Sequence, residues 1–143
     1  MSKQKIVFTS LRLVMGFIFL WAFLDKTFGL GFATTSAKSW INGGSPTAGF
    51  LTGAVKGPFA EFFHGLAGVA VVDWLFMAGL LVVGLTLILN KYVRWGCAAG
   101  TAMMLLVYLA TLFPENNPIV DEHIVYALVF AFIGLKSHNN SVV

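Results

Sequence analysis

Four long apolar stretches separated by polar breaks organise this sequence, over residues 6–28, 69–89, 93–113 and 119–135. Each falls within the roughly 17–25 residues that carry a helix across a hydrocarbon core of about 30 Å at 1.5 Å per residue. Between the first two, over residues 33–68, hydropathy drops and turn formers gather: Asn42, Gly43, Gly44, Ser45 and Pro46, then Gly49, Gly53, Gly57 and Pro58. Ser45 before Pro46 is a helix-start signal, and Gly57-Pro58 marks a second start ahead of PFAEFFHGL. In that second piece Phe59, Phe62, Phe63 and Leu66 recur at helical spacing, as in an amphipathic helix lying on a bilayer or on a bundle. The pattern predicts an all-α membrane protein: one domain over residues 1–143, a four-transmembrane-helix bundle with short interfacial helices between spans one and two on the outer face. Pro118 fits the first turn of the fourth span, with Asp121 and Glu122 where the helix dipole favours anions.

Composition agrees with lipid as the solvent. Hydrophobic residues make up 58% of the 143 residues and charged ones only 10%, against about 25% in a soluble domain. The net charge of +3 is spread over so little polar surface that it is no nucleic-acid footprint. The single Cys97 excludes a disulfide framework or a CxxC pair within the chain. The basic, then apolar, N-terminus is not followed by a small-residue cleavage site, so it is expected to stay as the first span. Arg12, inside that span, is expected to reach back to the headgroups as an interfacial anchor.

Charge position predicts topology. Lys3, Lys5, Arg12, Lys91, Arg94 and Lys136 fall on one side of the four-span arrangement. All six acids fall on the other, with Lys26, Lys38 and Lys56. The positive-inside rule then puts both termini in the cytoplasm of a multi-pass cell-membrane protein. Gly96 and Gly100 form a GxxxG in span three, which allows close approach within the bundle or a homodimer face.

Three groups are candidates for chemistry, since ionisable residues beside spans are costly unless partnered. Asp25 and Lys26 end span one, one turn after Trp21; adjacent on a helix, they point about 100° apart and each needs another partner. Lys26 reads as an anion holder, Asp25 as a proton handler, and the alternative is an interfacial charge pair. The Trp40, Ile41, Asn42, Gly43, Gly44, Ser45 turn offers backbone N–H groups for a small oxyanion, or is an ordinary helix-to-helix turn. The third group is Glu61 with His64, Asp73, and Asp121, Glu122 and His123 with Tyr126. Histidine titrates near neutrality and can move protons when a two-electron carrier is reduced. No HxxxH, HExxH or thiolate cluster points to a metal, and His138 in the tail is no haem ligand at membrane depth.

LRLVMGFIFLWAFLDKTFGLGFAT, WINGGSPTAGFL and ENNPIVDEH, on a chain of this length, resemble the DoxX/DoxD membrane family, and within it the DoxD-type subunits of thiosulfate:quinone oxidoreductases. The resemblance spans nearly the whole chain, and LDKTFGLGFAT with WINGGSPT are its most specific parts. It implies a quinone-linked oxidoreductase, or its membrane subunit, that oxidises thiosulfate to tetrathionate at the outer face, beside a DoxA-like partner. On that reading Asp25, Lys26, His64 and His123 are catalytic, and Lys26, Trp40, Asn42, Gly43, Gly44 and Ser45 bind substrate. Asp25, Glu61 and Asp121 supply protons to quinone, which is the electron acceptor, with no metal, haem or flavin. The alternatives are a non-catalytic membrane scaffold docking a redox partner, and a small-anion or lipid carrier.

Overall fold

Each long helix starts and stops where a local signal tells it to. The computed structural model describes residues 2–115 and 117–139, the side chains of 138 and 139 excepted. The first helix, α1 (Lys3–Phe28), opens on Ser2, whose hydroxyl accepts the Lys5 N–H at 3.3 Å, and closes on Gly29 in the left-handed conformation. A polar segment follows, with two 3-10 turns (Ser36–Lys38 and Trp40–Asn42) and two short helices, α2 (Ala48–Gly53) and α3 (Ala60–His64). The remaining long helices are α4 (Ala70–Leu89), α5 (Val93–Ala110) and α6 (Glu122–Asn139). No strand occurs among the described residues.

The long helices pack as an antiparallel series, α1 on α4, α4 on α5 and α5 on α6, with a lesser contact closing α6 onto α1. Phe19 of α1 meets Phe130 of α6 edge to face at 5.1 Å, in a core that includes Met77, Val83, Leu87 and Ile133. Small residues set the helix spacing. A Cβ on Gly84 would lie 2.8 Å from Leu20 Cβ, and one on Gly16 3.0 Å from Leu87 Cβ. The GxxxG of α5 is used within the chain: Gly96 faces Thr86 of α4 and Gly100 faces the ring of Phe130. Without a hydrophobic drive between helices in lipid, such close backbone approach supplies the dispersion that holds them.

α1, α4 and α5 are long and apolar enough to cross a membrane. In α6 the apolar stretch is flanked by Glu122 and His123 at one end and by Lys136 and Ser137 at the other. Apolar side chains crowd the outside, among them Val14, Phe17, Leu75, Leu106 and Leu128, all more than half exposed. A surface of that kind marks a membrane protein.

Three expectations need correction. Arg12 turns inward rather than to the headgroups: it is 8% exposed and donates through Nη1 to the carbonyl of Leu87, with Ile88 O at 3.5 Å. The last carbonyls of α4 have no partner within their own helix, and a guanidinium supplies one. α5 stops at Ala110, before residue 113: the backbone leaves helical geometry at Thr111 (φ −108°, ψ 22°) and is left-handed at Phe113 (φ 65°). α6 starts at Glu122, and Pro118 lies in the preceding loop, where Asn117 Oδ1 accepts the N–H groups of Ile119 (2.9 Å) and Val120 (3.0 Å).

Gly100→Ala tests the packing. The added methyl falls 2.7 Å from two ring atoms of the fully buried Phe130, so thermal unfolding in detergent should show a loss of about 1–3 kcal/mol. An unchanged melting temperature would mean that α5 and α6 are not packed through this glycine.

Candidate functional site

The last turn of α1 turns the carboxylate of Asp25 inward, where it is 2% exposed. A carboxylate out of water needs donors, and the chain supplies them by folding straight back. Oδ1 accepts the Phe32 N–H at 3.3 Å, and Oδ2 accepts those of Ala33 and Thr34, both at 2.9 Å. Gly29 makes the reversal possible. Its φ of 66° suits glycine, and a Cβ there would lie 2.5 Å from Ser36 Cα. Phe32 then stacks its edge on Trp21 at 5.2 Å, fixing the returned strand of chain against the helix.

A second carboxylate repeats the device from the neighbouring helix. Asp73, in the first turn of α4, is 6% exposed. Its Oδ1 accepts the Ser45 hydroxyl (2.8 Å), the Thr47 hydroxyl (2.6 Å) and the Thr47 N–H (3.2 Å). Ser45 Oγ in turn accepts the Ala48 N–H at 3.1 Å, the start of α2. The polar segment is thus fastened at two points over one end of the bundle. Between them Gly44 passes so near the backbone that a Cβ would lie 2.0 Å from Lys38 O.

Lys26 lies between these fastenings. Its Nζ donates to Pro46 O at 3.0 Å and sits 5.8 Å from the centre of the Phe76 ring. It feels the charges of both Asp25 and Asp73. Asp25 and Lys26 therefore each have a partner other than the other, as their 100° separation requires. Trp40 packs on the main core and meets Trp74 of α4 edge to face at 4.5 Å.

The proposed oxyanion turn looks inward. The N–H groups of Asn42 (3.1 Å) and Gly44 (3.0 Å) point at Ser39 O, that of Gly43 points at Trp40 O (3.0 Å), and the Asn42 amide donates to Ser36 O at 2.8 Å. These donors close the 3-10 turns. Ser45 is committed to Asp73. Asn42, Gly43, Gly44 and Ser45 hold the segment's shape, and Trp40 packs against the main core.

The other candidates are spread along the rim. Glu61 and His64 are exposed on α3, with His64 Nε2 3.3 Å from Val55 O. Asp121 caps α6, taking the His123 N–H at 3.0 Å on Oδ1 and the His123 Nδ1 at 2.8 Å on Oδ2. No hydrogen bond or ion pair joins this pair to Asp25 or Lys26 among the described residues. Nor do three His, Cys, Asp or Glu side chains gather there as a metal site would need. Lys56 pairs with Glu115 at the surface; the hydrogen bond first, and the charge second, hold the Glu115 carboxyl below its usual range. The group most underrated by sequence is Asp73, whose signal is its position as the one acid within the 69–89 apolar stretch.

The two carboxylates differ in a testable way. Asp25 uses both oxygens and Asp73 one. An asparagine at 25 must present an NH2 to backbone donors, whereas one at 73 can keep all three contacts on its carbonyl. Asp25→Asn should cost about 2–4 kcal/mol and Asp73→Asn about 1 kcal/mol by thermal melts, and the first should open the 29–47 segment to limited proteolysis. Equal costs would contradict the fastening geometry. Lys56→Ala should raise the Glu115 pKa back towards the ordinary glutamate range, read by NMR titration. A depressed carboxyl stabilises above its ordinary pKa and loses that as pH falls through the folded value. This pair is open to water and salt, so the melting temperature should not move measurably.

Compared with protein-family models, with curated proteins and with solved structures, the chain finds no match, and the reading of its site rests on its own residues.

Proposed function

We propose that the chain spans the cell membrane four times with both termini cytoplasmic, and is the membrane subunit of a quinone-linked oxidoreductase drawing electrons from a small sulfur oxyanion such as thiosulfate. Support for the fourth span comes from α6, whose exposed Val125, Leu128, Phe132 and Leu135 match the outward residues of the other helices. Support for the orientation comes from six of nine Lys and Arg at the end that carries the start of α1 and the α4–α5 turn. The resemblance to the DoxX/DoxD family supplies the reaction class.

The observation that carries the reading is Lys26, half-buried under the polar segment, held at Pro46 O and 5.8 Å from the centre of the Phe76 ring. The local charge decides which ligand belongs there. One ammonium stands against two carboxylates, a poor site for a dianion and a workable one for a neutral quinone whose oxygen accepts a hydrogen bond. Two thiosulfate ions joined through a new S–S bond release two electrons, and the quinone takes these with two protons. Negative charge building on its oxygen is met by the ammonium in a site sheltered from water. The oxyanion is left to a DoxA-like partner on the outer rim. The Asp121–His123 pair on that rim is a route for protons from outside, with Glu61 and His64 farther along it.

A scaffold that only docks a redox partner is favoured by the apolar side chains exposed at the same end, Phe32, Ile41, Phe62 and Phe113. Lys26→Gln separates the readings. Thiosulfate-dependent quinone reduction by the folded variant should fall at least about tenfold, with the KM for quinone raised and that for thiosulfate unchanged. Unaltered turnover, with the partner still bound, would leave the scaffold.

A further inference from the structure

The opposite end of the bundle holds a cavity of about 670 Å3 between the first turns of α1, the α4–α5 turn and the end of α6. That volume lies within the roughly 300–1,000 Å3 of small-molecule sites. Three cations from two helices line it: Lys5 and Arg12 of α1 and Arg94 of α5. Arg12 is held in place by its bond to the end of α4, and a guanidinium has five donors, so anchoring one nitrogen leaves others for a ligand. The first turn of α5 forms part of the same wall and adds the positive end of its dipole. All six acids belong to the other end of the molecule, and none of them lines this cavity.

The ligand must be an anion, and the surroundings say which kind. Tyr92 and Trp95 line the cavity and are 79% and 74% exposed, the placement of aromatic residues at a headgroup layer. Phe8 lines it too, with Lys136 5.2 Å above its ring. A cationic hollow walled by interfacial aromatics fits a phosphate that arrives with its own apolar tails. We propose that this cavity binds the phosphate of an anionic phospholipid headgroup, with the acyl chains running along α5. Basic pockets between helices at the cytoplasmic face hold such headgroups by the same electrostatics.

The test uses the full chain, delipidated in an uncharged detergent, with three probes: phosphatidylglycerol, phosphatidylcholine and inorganic phosphate. Native mass spectrometry should find phosphatidylglycerol retained and phosphatidylcholine lost, and phosphatidylglycerol alone should raise the melting temperature. Lys5→Gln should weaken retention about fivefold, and the double variant Lys5→Gln, Arg94→Gln about thirtyfold. Lys91→Gln, at the same end but outside the cavity, should leave retention unchanged. Equal weakening by Lys91→Gln would mean diffuse attraction to a positive surface and would overturn the site. Protection by inorganic phosphate as strong as by phosphatidylglycerol would overturn the lipid assignment in favour of a free phosphate anion. Should the double variant not fold, Lys5→Glu at its exposed position must weaken retention more than Lys5→Gln, or the proposal fails.

Discussion

Two carboxylates shut away from water govern this structure. Asp25 and Asp73 are 2% and 6% exposed, at the ends of helices apolar enough to lie in lipid, where an unsatisfied charge is among the most expensive things a chain can hold. Each has one local remedy, which is to draw the polar segment over itself. Three backbone N–H groups go to Asp25; two hydroxyls and one N–H go to Asp73. Charge-assisted bonds of this kind are roughly twice as strong as neutral ones. The segment is therefore a roof whose two fixings are the acids themselves, and releasing either would return a bare carboxylate to an apolar setting.

That arrangement fixes what Lys26 can do. Held at Pro46 O and flanked by the two acids, the ammonium offsets part of a local negative charge. It is a weak trap for a doubly charged ion, because the two neighbouring carboxylates oppose its charge. Any ligand that replaces Pro46 O must bring an acceptor with little charge of its own and accept aromatic neighbours. The electrostatics thus narrow the chemistry at this position even before a substrate is named.

Much of the fold was legible because lipid imposes a simple rule: backbone groups must be satisfied within the helix, so long apolar runs become helices. Lys91 and Asn90, Gly29, and the drop in hydropathy after residue 33 mark the breaks. Helix ends were harder. Asp121 and Pro118 both resemble a start, and only the turn around Asn117 decides in favour of Asp121. The site was half legible: the sequence singles out Asp25, Lys26 and residues 40–46 as a unit, and they do meet. The direction of their hydrogen bonds was not legible. A glycine-rich turn can aim its N–H groups at a ligand or at its own carbonyls, and here the contact of Gly44 with Lys38 and the inward bonds of Asn42 and Gly43 settle it. Arg12 was misjudged for a related reason: a long cationic side chain can snorkel outward, or it can cap a neighbouring helix when the loose carbonyls of α4 are within reach.

The division of charge along the bundle gives its two ends different physics. At one end every acid is present, and the buried ones are satisfied by the chain itself, so the interior there is closed with its bonds already made. At the other, cations line a hollow, and the buried guanidinium of Arg12 donates to carbonyls at the end of α4. A bundle of this size has little core to spare, with Phe130, Met77, Leu87, Ile133 and Val83 filling its middle. Ligands must accordingly meet it at its ends or between its helices. Because the acidic end is roofed by its own chain, its backbone and hydroxyl donors are already committed to the two buried carboxylates, while the cations of the basic end line a hollow.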